Sequence, residues 1–158
     1  MNDTDLRHLR RCLELAAEAL EQGNGPFGSV LVGEDGSVLL EDHNREGDGD
    51  GTRHPELEIA RWAAAHLSPP ARAAATVYTS GEHCPMCAAA HAWAGLGRIV
   101  FASSTAQLVA WRRELGAPAG PVRPLPIAEI APGIPVEGPV PGLDDEVHAL
   151  HVRAHQQG

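Results

Sequence analysis

The hydrophobic positions near the start of the chain repeat with the spacing of one face of a helix. Over residues 4–22 the apolar residues on this face are Leu6, Leu9, Cys12, Leu13, Ala16, Ala17 and Leu20. Their spacing of three or four positions predicts an amphipathic helix that packs one side against a core. Gly23 is the residue type that most often follows the end of a helix, so we expect the helix to stop there.

Beyond Gly23 the apolar residues form short runs that alternate with further helical segments. Residues 29–32 and 38–41 flank a Glu-Asp-Gly turn, which predicts a β-hairpin. Helices are predicted at 55–67, 85–95 and 104–115, and strands at 76–79 and 98–102. Proline opens the first two of these helices, a position that proline favours. Strands that alternate with helices predict an α/β fold with a sheet covered on both faces.

The last third of the chain is less regular. Residues 116–142 are rich in proline and glycine and predict a loop, with one edge strand near 134–136. A closing helix is predicted over 143–155. We find no internal repeat and no interior boundary, so the sequence predicts a single domain over residues 1–158.

The net charge of −9 argues against a nucleic-acid partner. All 12 basic residues are arginines, and they are scattered along the chain. A nucleic-acid-binding protein normally presents a basic face, and the sequence predicts none. The apolar runs are too short to span a bilayer, and the polar start of the chain lacks the apolar core of a signal peptide. We therefore expect a cytoplasmic protein without a membrane partner.

Two cysteines, Cys84 and Cys87, lie three positions apart at the start of a predicted helix, in the stretch SGEHCPMCAAA. A Cys-x-x-Cys pair can be a redox pair, half of a zinc site or a coincidence. A structural zinc site needs two further ligands, and the chain has no second cysteine pair. The remaining cysteine, Cys12, lies on the apolar face of the first helix and is expected to be buried.

Thirty residues upstream of Cys84 is a second candidate segment, His54-Pro55-Glu56, which also opens a predicted helix. One histidine and two cysteines give three protein ligands and leave a fourth tetrahedral position open, which is typical of a catalytic zinc site. The positive end of a helix dipole at each segment favours thiolates. Glu56 is then placed to act as a proton shuttle.

These two segments match the His-x-Glu and Cys-x-x-Cys signature of zinc deaminases. The sequence resembles the cytidine deaminase superfamily, in particular its purine branch of guanine deaminases and tRNA adenosine deaminases. The resemblance covers roughly residues 5–115, including PFGSVLVGEDG at 26–36 and the two zinc segments. It implies a three-layer α/β/α sandwich with a five-stranded mixed sheet, bound Zn²⁺ and a homodimer. Residues 116–158 match the family poorly and form a variable C-terminal segment that ends in a helix.

The resemblance also implies substrate contacts. Asn44 stands where the family carries a base-contacting asparagine, although it could instead cap its loop. Phe27 is expected either in the core or as a wall of the base pocket. Trp93 is expected to pack in the core or to stack on a purine. The chain departs from the family at His83, where proline is usual, and at Pro55, where alanine is usual.

The other histidines are assigned no chemistry. His91 shares a helix face with the two cysteines, and we expect it to be a buried structural residue or to orient the site. His148, His151 and His155 follow helical spacing and predict a surface or interface face rather than a second metal site.

The sequence therefore predicts a zinc-dependent hydrolytic deaminase of a nucleobase or nucleoside, with a guanine-like purine favoured. The alternatives are a tRNA adenosine deaminase and a zinc-stabilised binding module without catalysis. A thiol redox protein is a third class, and it leaves the His-x-Glu pair unexplained.

Overall fold

The computed structural model describes residues 1–158, and at its centre lies a mixed sheet of five strands. The strands are β1 (Gly28–Val32), β2 (Val38–His43), β3 (Thr76–Gly81), β4 (Ile99–Ser103) and β5 (Val136–Glu137). Their order in the sheet is β2-β1-β3-β4-β5. β1 is antiparallel to both β2 and β3, whereas β3, β4 and β5 run parallel to one another. The expected five-stranded mixed sheet is confirmed.

Seven α-helices surround the sheet. They are α1 (Asp3–Glu21), α2 (Pro55–His66), α3 (Pro69–Ala73), α4 (Pro85–Ala94), α5 (Thr105–Glu114), α6 (Ile127–Ile130) and α7 (Leu143–Gln157). A single 3-10 turn, Glu46–Asp48, interrupts the loop before α2. None of the helices is both long enough and apolar enough to cross a membrane.

Neighbouring residues on β1 belong to different cores, because successive side chains of a strand point to opposite faces. Val30 packs with residues of α1, α5 and α7, among them Leu9, Trp111 and Val147. Leu31 packs instead with α2, where Ile59 is fully buried. The helices thus cover both faces of the sheet, and the three-layer arrangement is confirmed.

Two short helices, α3 and α6, were not expected from the sequence. Ser68, Pro69 and Pro70 end α2, as expected, but the prolines then open α3, and the Ser68 hydroxyl accepts a hydrogen bond from the Ala71 amide. α6 falls inside the segment predicted as loop, where Ile127 is fully buried. The edge strand β5 begins two positions later than predicted and ends one position later.

Glu82, directly after β3, holds the C-terminal segment against the rest of the fold. One of its carboxylate oxygens accepts a hydrogen bond of 2.9 Å from the Thr105 amide, at the start of α5. The other accepts one of 2.8 Å from the Ile127 amide, at the start of α6. This single side chain therefore joins the loop that carries Cys84 to two later helices.

α1 lies directly on β1 at Gly28. A Cβ atom at this position would lie 2.6 Å from Leu15 Cβ and 2.7 Å from the Ala16 nitrogen, and closer still to the Cys12 carbonyl oxygen. Real Cβ atoms do not approach other atoms so closely, so only glycine allows this contact between helix and strand. The next residue on β1 is Ser29, which the candidate site uses.

We expect Gly28→Ala to lower the free energy of unfolding by about 1–3 kcal/mol, because the added methyl group must push α1 away from β1. Chemical denaturation measures this change. Gly51→Ala is the matched control, since no atom lies within 4 Å of the added methyl group. Equal stability of the two variants would contradict the close contact.

Candidate active site

The first turns of α2 and α4 form the candidate site. His54 caps α2 and Cys84 caps α4, and both residues have extended backbone angles. Pro55 and Pro85 follow at the first helical positions, where the missing amide hydrogen costs nothing. This local pattern turns each cap side chain out of the helix, so that the two caps can face a common point.

The side chains of His54, Cys84 and Cys87 converge on that point. His54 Nδ1 lies 3.5 Å from Cys84 Sγ and 3.4 Å from Cys87 Sγ. All three donor atoms lie within 4.8 Å of one another. Zinc bonds of standard length at tetrahedral angles place a nitrogen and a sulfur ligand about 3.5 Å apart. The three residues are therefore positioned to bind a metal ion such as Zn²⁺, which confirms the expected cofactor site.

The protonation of the three donors reflects their mutual contact. Hydrogen bonds from Cys87 and then His54 lower the pKa of Cys84 to about 4. The hydrogen bond with Cys84, followed by that with Glu46, raises the pKa of His54 to about 10. The proximity of Cys84 also raises the pKa of the buried Cys87 thiol. The proton on His54 thus balances the negative charge of the Cys84 thiolate. A divalent cation bound by the three donors would displace these protons.

Glu56, in the first turn of α2, is buried beside these donors. Its Oε1 accepts hydrogen bonds of 2.9 Å from Ser29 Oγ and 3.1 Å from Thr79 Oγ1. Ser29 and Thr79 face each other across β1 and β3. Burial raises the pKa of Glu56, so this carboxyl group takes up a proton more readily than an exposed one.

Glu46 is a residue of the site that the sequence analysis missed. Its Oε1 lies 2.5 Å from His54 Nε2, the ring nitrogen that faces away from the cysteines. The glycine- and charge-rich loop around it gave one signal, a group of carboxylates shortly before the histidine. The sequence could not show which of them reaches the ring, because that depends on how the loop folds.

Phe27 and Asn44 lie beside this site. A Cβ on Gly81, two residues beyond Thr79 on β3, would lie 3.7 Å from the Phe27 ring. Asn44 is buried, its backbone amide donates to the Phe27 carbonyl, and its side-chain oxygen accepts from the Glu46 amide at 2.8 Å. Asn44 thus caps its loop, which was one of the two expectations for this residue. Its contact with a base stays a prediction.

Trp93 does not pack in the core, so that expectation is wrong. The residue is 92% exposed near the end of α4. It follows the buried His91 by two positions, which is about 200° around the helix axis, so it points away from the packed face. The stacking of Trp93 on a purine stays a prediction.

Two of the three C-terminal histidines are less exposed than a free surface face would be. His148 stacks on Trp111 with ring centroids 4.7 Å apart, and His151 meets the edge of Phe27 at 5.1 Å. Of the three, only His155 is fully on the surface. Helix α7 therefore reaches the Phe27 side of its own chain's candidate site.

His83 and His91 form a buried pair, with ring centroids 5.4 Å apart. His91 Nε2 lies 2.7 Å from the Gly97 carbonyl oxygen, which matches the expected structural role. His83 has no hydrogen-bond partner at either ring nitrogen. Burial keeps the pKa of both residues low, so both rings are neutral.

Comparison with known proteins agrees with this geometry. Residues 2–103 match the family described as the cytidine and deoxycytidylate deaminase zinc-binding region. The chain belongs to this family. Its members are zinc-dependent hydrolases, and we class the chain as one of them.

Individual relatives in the family differ in substrate. The chain is 31% identical over 116 residues to a probable cytosine deaminase of Schizosaccharomyces pombe, with 73% of this chain and 70% of the relative covered. It is 36% identical over 97 residues to guanine deaminase of Bacillus subtilis, covering 60% of this chain and 62% of the relative. A tRNA-specific adenosine deaminase of the same bacterium is 32% identical over 98 residues, covering 61% and 60%.

Solved structures extend the likeness to the C-terminal segment. The structure of guanine deaminase from Nitrosomonas europaea superposes with a TM-score of 0.71 over 94% of this chain and 83% of that chain. The identity is 24%, so this match supports the fold alone.

We expect Cys87→Ala to abolish stable zinc binding by this deaminase, because two ligands remain where three are needed. Zinc content per chain after gel filtration measures this, and the unaltered protein should carry about one ion. The control is Cys12→Ala, which removes the one cysteine outside the site. If Cys12→Ala lost zinc and Cys87→Ala kept it, the assignment of Cys87 as a metal ligand would be contradicted.

Proposed function

We propose that the protein is a zinc-dependent hydrolytic deaminase of a nucleobase or nucleoside, with a guanine-like purine as the favoured substrate, and that it releases ammonia. The observation that carries this proposal is the buried carboxylate of Glu56 beside a set of three metal ligands. A purely structural zinc site has no use for such a carboxylate. His54, Cys84 and Cys87 are the proposed ligands, and Glu56 is the proposed catalytic residue.

The chemistry is divided between the ion and the protein. His54, Cys84 and Cys87 would hold a zinc ion, which would supply an activated water for attack on the ring carbon that carries the amino group. Glu56 would accept one proton of that water, and burial raises the pKa of Glu56, which makes it a better proton acceptor than an exposed carboxylate. Glu56 would pass this proton to the ring nitrogen, then take the remaining proton of the hydroxyl group on the ring carbon and give it to the amino group, which leaves as ammonia while the carbonyl forms.

Ser29 and Thr79 prepare Glu56 for these transfers. Both hydroxyl groups donate to the same oxygen, Oε1, which fixes the orientation of the carboxylate. The two strands hold the donors in register, so the carboxylate needs little rearrangement during turnover.

A small substrate fits the charge of the protein better than a nucleic acid. The net charge is −9 and there is no lysine, which argues against the extended basic face that phosphate contacts need. The guanine deaminase relative supports a purine base, and Asn44 and Phe27 are the proposed base contacts. The cytosine deaminase relative makes a pyrimidine base the first competitor.

A tRNA adenosine deaminase is the second candidate, favoured by relatives of that activity. It differs in a measurable way, because binding to tRNA weakens steeply as salt rises while binding of a neutral base does not. A zinc-stabilised module without catalysis is a further alternative. The homodimer and the cytoplasmic location stay predictions.

We expect Glu56→Gln to lower ammonia release by a factor of about 10²–10⁴ while zinc content stays unchanged, because the amide cannot move the proton. The assay uses zinc-loaded protein with a panel of purine and pyrimidine bases, nucleosides, nucleotides and tRNA, guanine first. Glu58→Gln is the matched control, since Glu58 lies in the same helix and is paired only with Arg53 at the surface.

The panel separates the candidates. Release from guanine or a related purine, lost in Glu56→Gln and kept in Glu58→Gln, supports the proposal. Release from cytosine alone would move the substrate to a pyrimidine. Full activity in Glu56→Gln would overturn the catalytic role, and activity confined to tRNA would select the second candidate.

A further inference from the structure

The two ring nitrogens of His54 face different neighbours. Nδ1 points at both cysteine sulfurs, at 3.5 and 3.4 Å. Nε2 points the opposite way and meets Glu46 Oε1 at 2.5 Å. The imidazole ring therefore stands between the metal ligands on one side and a carboxylate on the other.

The structure holds Glu46 in this place through its backbone. The Glu46 amide donates to Asn44 Oδ1 at 2.8 Å, and the next amide, that of Gly47, donates to Asn24 Oδ1 at 2.9 Å. A Cβ on Gly47 would lie 2.6 Å from Asn24 Oδ1, so the loop docks closely on the segment between α1 and β1. Two anchors on consecutive residues fix the direction of the Glu46 side chain.

The other carboxylates of the loop have no such role. Asp50 Oδ1 accepts hydrogen bonds from the amide and the hydroxyl of Thr52, at 2.9 and 2.7 Å, and so closes a local turn. Asp48 is exposed and makes no hydrogen bond or ion pair. Among the three, Glu46 alone reaches His54.

We propose that Glu46 is a positioning residue for the metal site: its carboxylate accepts the Nε2 hydrogen of His54 and thereby fixes the ring orientation and the tautomer in which Nδ1 is free to bind the ion. A neutral imidazole carries its hydrogen on one nitrogen only, so a strong acceptor at Nε2 leaves a lone pair at Nδ1. The negative charge behind the ring also strengthens Nδ1 as a ligand. This proposal rests on the zinc site of the proposed function.

Removing such a partner of a ligand histidine lowers metal affinity about 10–100-fold. We expect Glu46→Ala to show a loss of this size in zinc affinity, measured by competition with a chromogenic zinc chelator at fixed pH. Glu46→Gln should lose less, because its amide oxygen still accepts the Nε2 hydrogen but carries no charge. Asp48→Ala, two positions away in the same loop, should bind zinc like the unaltered protein.

Thermal unfolding without zinc separates positioning from a general loss of structure. The metal-free Glu46→Ala protein should unfold at the temperature of the metal-free unaltered protein, and the rise on adding zinc should be smaller. If Glu46→Ala destabilises the metal-free fold, the zinc affinity of Glu46→Gln is the deciding measurement, because glutamine keeps the size of the side chain and an oxygen that accepts the Nε2 hydrogen.

Unchanged zinc affinity in Glu46→Ala would overturn the proposal, and so would a loss in Asp48→Ala as large as that in Glu46→Ala. Failure of the unaltered protein to bind zinc would instead overturn the proposed metal site itself. Because the readout is affinity and not turnover, the result does not depend on knowing the substrate.

Discussion

The structure depends on one constraint: two helices must begin side by side at the same edge of the sheet. A helix start leaves amides unpaired and demands an extended cap residue, and in α2 and α4 these caps are His54 and Cys84. Because both caps turn out of their helices toward each other, ligands thirty residues apart in the chain meet. Glu56 and Cys87 then take their places from the first turns of the same two helices. If either helix began one residue earlier or later, the three metal-binding side chains would no longer converge on one point.

The rest of the fold keeps those helix starts in place. Gly28 lets α1 lie directly on β1, and the hydroxyls of Ser29 and Thr79 rise from the strands beneath α2 to hold Glu56. The loop that carries Glu46 lies on the outer side of His54, where the Glu46 carboxylate contacts the imidazole ring. The site is thus supported from below by the sheet and from outside by a loop, and each support acts on a different group.

The sequence predicted the parts of this arrangement that are local. The ligands and Glu56 occupy fixed offsets from two prolines at helix starts, and short motifs carry that information. The contact of Glu46 with His54 depends on how the loop between them folds against Asn24, and the contact of Phe27 with His151 joins distant segments; no sequence offset encodes either. The expectation that Trp93 packs in the core was wrong for a related reason. The sequence of an alanine-rich helix such as α4 does not show which side is buried until the element that packs against it is known. The helices α3 and α6 are short, and their prolines and apolar residues equally suit a loop.

Glu82 gives the fold a property that goes beyond stability. Its carboxylate holds α6 through the backbone amide of Ile127, not through a side chain. Any residue except proline could supply that amide, so the anchor places no other demand on the hydrogen-bonding chemistry of the segment it secures. The C-terminal third can therefore drift in composition and in loop length while its attachment point beside the metal ligands persists. Such an arrangement lets evolution reshape the surroundings of an unchanged reaction centre, one insertion or substitution at a time.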